Sequence, residues 1–166
     1  MSLLNKKLFY TAVVVGVLAM VATGTFATTP RYTIGGSGDE RTVVDGATGL
    51  EWQQAHTLEA GGVDWKSAMA HCEGLSYGGG DDWRLPNVTE LLTIVDEKLE
   101  DPPAINYVFF PDFETGNGYW TSTTSRKTGS SAYVVHFGEY DSTVGTGGVS
   151  PIAKTATALV LCVRGG

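Results

Sequence analysis

The hydrophobic pattern of the chain changes character four times. Lys6 and Lys7 precede an apolar run from Leu8 to Ala22, which closes on Thr25-Phe26-Ala27. A basic start, a short apolar middle and small residues at the end are what a signal peptidase reads, so residues 1–27 are expected to be a secretory signal peptide. The run is shorter than the roughly 20 apolar residues of a membrane-crossing helix, which places an uncleaved anchor second. No Cys follows it and no acidic residue or processing Gly marks its start, so lipoprotein and pilin-type leaders do not fit.

Residues 28–41, TTPRYTIGGSGDER, show no periodicity and read as a linker, an N-terminal arm or a loosely attached first strand. The next segment, RTVVDGATGLEWQQ, places two β-like runs around an Asp-Gly turn and predicts a hairpin. Asp64 can cap a helix in which Trp65, Ala68, Met69, Cys72 and Leu75 share one face at helical spacing. After the helix-breaking SYGGGDD, Pro86 holds Leu85 extended. Asn87 and Glu90 then have the spacing of a capping box, and Val88, Leu91, Leu92 and Val95 predict a second helix to about Leu99. Beyond EDPPAIN, the runs YWTSTT, SAYVVHFG and ATALVLCVRG are β-branched and aromatic and read as strands. The longest loop expected between them is Glu139 to Thr157. Two early helices and late strands define an α+β domain, with the helices packed on a mainly antiparallel sheet and the terminal strands paired.

Charge narrows the partners. The formal net charge is −7, and removing residues 1–27 takes away two lysines and no acids, leaving −9. Such a surface repels phosphate backbones, so nucleic acid is not an expected partner, and no membrane attachment is expected once the signal is cleaved. The remaining length suits one domain. Cys72 and Cys162 are the only cysteines; in an oxidising, exported setting (secreted, at the cell surface or in the periplasm) the simplest reading is a single disulfide. Closing a loop of that length is worth about 4–5 kcal/mol in the chain-entropy account.

Seven stretches, VVDGATGLEWQ, DWKSAMAHCEGL, GGGDDWRLPNVTELLTIVD, PAINYVFFP, YWTSTT, AYVVHFG and LCVRGG, occur in the order of the Lcl C-terminal-domain family, formerly a bacterial domain of unknown function. The chain resembles that family from about Thr42 to Gly166. The resemblance implies a C-type-lectin-like fold whose first helix carries a Cys bridged to a Cys on the last strand. Members of the family are typically exported, some are adhesins for sulfated polysaccharides, and some are diversified in their C-terminal loops by retroelements. The family supplies no general catalytic residue set. Leu161 stands where Arg is frequent and Glu51 where an apolar residue is frequent. The first change removes a basic group and, with the acidic balance, weakens the transfer of heparin-like binding.

The candidate residues divide by chemistry. In DDWRLPN, Trp83 is expected to fill the core, Arg84 to pair with Asp81 or Asp82, and Asn87 to start the second helix. No cofactor is expected. Calcium at Asp81, Asp82, Asp112, Glu114 or Asp141 is disfavoured, because no run has the spacing of a calcium loop. His71 and Cys72 are adjacent on a helix and diverge by about 100°, which disfavours zinc, and His136 is expected to face solvent. Ser122 and Ser125 lack a nucleophile elbow. The ligand-binding residues are placed on the C-terminal loops: Tyr119, Arg126 and Lys127 in one, with Ser125, Thr128, Ser130 and Ser131 around them, and Tyr140, Asp141 and Thr143 in the other, with Ser142, Thr146 and Lys154. The expected function is a non-catalytic binding or adhesion domain for an extracellular polysaccharide or surface protein. A self-assembling subunit of an extracellular oligomer or filament is the first alternative, and a periplasmic enzyme the second.

Overall fold

A computed structural model describes residues 29–55, 61–96, 104–114, 118–138 and 148–166; the expected signal peptide lies outside them. The elements in chain order are β1 (Tyr32–Ser37), β2 (Glu40–Asp45), β3 (Leu50–Gln53), α1 (Trp65–Glu73), α2 (Val88–Thr93), β4 (Tyr119–Thr124), β5 (Ser131–Val135), β6 (Val149–Ala153) and β7 (Val163–Gly165). They form an α+β domain with two antiparallel sheets, β1-β2-β3-β7 and β4-β5-β6, where the sequence predicted one.

The segment expected as linker or arm contains β1, which pairs along its full length with β2. Gly38, at φ +61, supplies the left-handed residue that the tight turn between them requires. At the other end of β2, the Asp45 carboxylate closes the turn into β3. Its Oδ1 accepts from the Ala47 N–H at 3.0 Å, and Arg31 donates through Nε at 3.0 Å and Nη2 at 2.8 Å.

Both helices start as their caps dictate. The Asp64 carboxylate accepts from the Ser67 N–H at 2.9 Å, and the Ser67 bonds hold this carboxyl below its usual range. Asn87 Oδ1 accepts from the Glu90 N–H at 2.9 Å while Glu90 Oε2 accepts from the Asn87 N–H at 2.8 Å, a complete capping box. Asn87→Ala removes one half of it and is expected to cost about 1 kcal/mol, measured by denaturant unfolding. A variant as stable as the parent would show that the cap contributes nothing. The second helix stops at Thr93, short of Leu99. The Ile94 and Val95 N–H groups turn back to Leu91 and Leu92, Arg31 donates to the Thr93 carbonyl, and the Asp96 N–H leaves for Ala104. These bonds satisfy the end of the helix and draw the chain away from its axis.

Two buried clusters meet along the run 158–163. Leu159, Leu161 and Val163 enter one with Trp52, Phe110, Phe113 and Phe137; Ala158, Val160 and Cys162 enter the other with Trp83, Trp120 and Ala68. This run was expected as one strand. It is extended, but its bonds are shared among several neighbours. Ala158 exchanges two with Val63, Leu159 exchanges them with Gly118 and Trp120, and the Cys162 carbonyl accepts from Gln53. Only Val163–Gly165 forms a ladder, with β3. The bridge between Cys72 on α1 and Cys162, just before β7, spans a Cα–Cα distance of 5.5 Å and pins this run to the helix.

The expected loop from Glu139 to Thr157 contains β6. The bonds Lys154 N–H to Ser130 O and His136 N–H to Gly148 O fix which β5–β6 pairs are hydrogen-bonded. By that alternation Pro151, opposite Tyr133, is a non-bonded position. Its missing N–H faces outward and removes no bond to β5.

Candidate functional site

At one end of the β4-β5-β6 sheet, three chain segments bring cations together. The β4–β5 turn exposes Arg126 and Lys127. It is held by the Ser125 N–H bonding Ser131 O at 2.9 Å, the Ser131 N–H bonding Thr128 O at 3.1 Å, and Ser125 Oγ accepting from the Lys127 N–H at 3.3 Å. Ser125 is buried and so serves the turn. Beside the turn, β6 ends at Ala153, and the next residue, Lys154, donates its N–H to Ser130 O. The start of α1 completes the group, because the Trp65 N–H donates to the Lys154 carbonyl at 3.1 Å.

Lys154 and Trp65 form the centre of this end. The Lys154 ammonium lies 4.0 Å from the Trp65 ring centroid and donates to Thr124 Oγ1 at 2.9 Å. The Trp65 indole N–H donates to the Thr121 carbonyl at 2.8 Å, which fixes the ring. A shallow groove of about 500 Å³ runs here, lined by Asp64, Trp65, Lys66, Lys154 and Thr155. Four cations, Lys66, Arg126, Lys127 and Lys154, thus sit at one end of an acidic chain. Among the described residues none of the four forms an ion pair, whereas Arg31, Arg84 and Arg164 do.

The opposite charge gathers elsewhere. Two grooves flank Tyr77, one lined by Glu40, Gly80 and Asp81 and the other by Asp39, Arg41 and Asp112. The Tyr77 hydroxyl donates toward the Asp39 and Arg41 carbonyls, at 3.2 and 2.9 Å, and fixes the wall between the grooves. Among the described residues no three His, Cys, Asp or Glu side chains converge as a metal site would require.

Several expected site residues lie elsewhere. Tyr119 is not on a loop: it is fully buried on β4, stacked on Phe113 at 4.3 Å, with its hydroxyl accepting from the Glu114 N–H. Burial pushes its phenol well above the usual range. It belongs to the core because alternation along β4 sends Tyr119 into one cluster and Trp120 into the other. Tyr140, Asp141 and Thr143 fall outside the described residues. Arg84 does not pair with Asp81 or Asp82; it forms a bidentate pair with Glu90 at 2.8 Å and 2.8 Å and donates to the Gly165 carbonyl. Pro86 and Asn87 turn the chain so that the first turn of α2 presents Glu90 to it, while Asp82 lies 3.5 Å from Arg164. Trp83 is buried, and its indole N–H donates to the Tyr77 carbonyl. His136 is buried rather than facing solvent, its Nε2 2.9 Å from Ser150 Oγ on the neighbouring strand β6. His71 is half-buried, and burial pulls its imidazole below the usual range. Ser122 uses its N–H to bond the Pro86 carbonyl.

Trp65 and Lys66 are the members of this end that the sequence reading did not assign to a site. The helical spacing puts Trp65 on the apolar face of α1. Its position as the first helical residue, followed by a lysine, was the available signal: the end of an amphipathic face meets solvent.

Fold and surface together define a disulfide-stapled α+β domain with a basic end and no membrane-crossing helix among its described residues. Residues 41–164 match the Lcl C-terminal domain, and the chain belongs to that family. No curated protein matches the chain.

Proposed function

We infer that the chain is an exported, non-catalytic binding domain of C-type-lectin-like type, and that its ligand is an acidic extracellular polysaccharide. The observation that supports this reading is the Lys154 ammonium held over the Trp65 ring, beside the exposed Arg126 and Lys127, on a chain of net negative charge. Two contacts fix Lys154, so little side-chain freedom remains to be lost on binding. An ammonium over an aromatic ring, with further cations at the same end of the sheet, suits the carboxylate or sulfate groups and the apolar face of a charged sugar. The field of the whole molecule opposes such a ligand, so the local cations decide the affinity, and salt weakens it.

The test is a glycan-array and calorimetric comparison of sulfated, carboxylated and neutral polysaccharides with the exported chain, with and without calcium. Binding is expected for the acidic polymers, falling with added salt. The double substitution Arg126→Ala/Lys127→Ala, and separately Lys154→Ala, should each weaken it about tenfold or more. Equal binding of neutral polymers, or affinity untouched by both sets of substitutions, would reject the reading.

A further inference from the structure

The two sheets end in edges of different kinds. On β6, Pro151 removes one of the outward N–H groups, which blunts that edge against pairing. The edge formed by β1 has no such device: Tyr32, Thr33, Ile34, Gly35, Gly36 and Ser37 include no proline and no charge. The Gly46 N–H bond to the Arg31 carbonyl at 2.7 Å sets the alternation of the β1–β2 ladder. Thr33 and Gly35 therefore bond to β2, and the N–H and C=O of Ile34 point away from it.

The side chains show the same incompleteness. Val163, Trp52, Val43 and Ile34 stand in register across four strands as one apolar row. The first three are fully buried, and Ile34, at the edge, is 47% exposed. The row reaches the rim of the sheet with its last member uncovered. Phe109 packs on Tyr32 at 5.3 Å, and the neighbouring Val108 is 80% exposed, so apolar surface continues beside this end of the strand.

We propose that the β1 edge is a self-association surface, on which β1 of a second copy pairs antiparallel about a two-fold axis at Ile34. The antiparallel sense follows from charge. Arg31, with 43% of its side chain exposed, stands at the start of β1, and Asp39 and Glu40 are exposed at the hairpin turn beyond its end. Antiparallel pairing brings Arg31 of each copy toward the acidic turn of the other, twice by symmetry. Parallel pairing would set like charges side by side. With the axis at Ile34, the two Ile34 residues exchange their outward N–H and C=O groups and cover each other, and Thr33 faces Gly35. Gly36, at φ +66, already bends the strand toward its hairpin, so the pairing centres on residues 33–35. So short a seam buries less than a standard interface, and the association is weak and concentration-dependent.

The surface lies on the other sheet from the Lys154–Trp65 groove, so its test is independent of the polysaccharide reading. Sedimentation velocity of the exported chain over a range of concentrations should show a monomer–dimer equilibrium. Ile34→Lys places two ammonium groups at the axis and removes both apolar contacts, weakening dimerisation about tenfold or more while leaving polysaccharide binding unchanged. Ile34→Cys offers a second readout that needs no large change of side chain. A hydrogen-bonded antiparallel pair holds its Cα atoms about 5.5 Å apart, within disulfide range. This variant should therefore form a covalent dimer on mild oxidation, and Thr33→Cys should not. A parent chain that stays monomeric at every concentration would overturn the proposal. So would a dimer that Ile34→Lys leaves intact and Ile34→Cys does not cross-link.

Discussion

Replacing both Cys72 and Cys162 with alanine is expected to lower the unfolding free energy by about 4 kcal/mol and the melting temperature by roughly 10–15 °C. The bridge closes a loop of 90 residues, so most of the folded chain lies between its two sulfurs. Without it the unfolded chain regains the freedom to separate those ends, and folding must then supply the closure itself. The native state also loses a tie. Cys162 belongs to the run whose carbonyl and amide bond to the Gln53 backbone and side chain, and Cys72 lies fully buried on α1. The check is denaturant unfolding of parent and double variant, each with and without reductant. Reductant should destabilise the parent to the level of the variant and leave the variant unmoved. A drop below about 1 kcal/mol would mean that the unfolded chain stays constrained without the cross-link.

How far these features could be read beforehand depended on how local their causes are. The capping box at Asn87 and the Asp64 cap were legible, because each is decided by residues within one helical turn. The pairing of the two cysteines was legible for a different reason: an oxidised chain with two cysteines has one intramolecular answer. The partner of Arg84 is not legible from the sequence. Two acids stood nearer in sequence, and only the turn at Pro86 and Asn87 shows why Glu90 arrives first. β6 was hidden by Pro151 and by the glycines before it, whose effect on a strand depends on whether the proline N–H position faces a neighbour or solvent. Alternation along YWTSTT was visible, but which side of Tyr119 faced a core was not, since this strand is buried on both sides. The basic end could be seen only in part. Arg126 and Lys127 were marked by their turn, whereas joining them to Lys154 and Trp65 takes three segments distant in sequence and a helix start brought to the end of a sheet.

The second large effect is expected at Asp45. Its side chain is fully buried at the turn between β2 and β3 and receives two bonds from Arg31 and one from the Ala47 amide. Asp45→Ala loses all three and leaves the turn without its organiser. Removing one partner of a fully buried pair costs several kcal/mol, but Arg31 keeps 43% exposure and can return to water. The expected loss is therefore smaller, about 2–3 kcal/mol. The same site predicts a dependence on acid. Burial alone would raise the Asp45 carboxyl, but the Arg31 bonds and the Ala47 N–H outweigh it and hold the group below its ordinary value of 3.8. A carboxyl depressed by folding stabilises the native state fully above its unfolded value, near 3.9, and that contribution is lost as pH falls through the lower folded value. Glu90 is depressed in the same way: burial opposes it, while Arg84 and the Asn87 N–H prevail. Stability of the parent should thus decline below about pH 4, and Asp45→Asn, which keeps the shape but cannot titrate, should start lower and decline less steeply. Identical acid slopes for parent and Asp45→Asn would show that this carboxyl binds its proton equally well in the folded and unfolded chain, and that the turn is held by the backbone rather than by its charge.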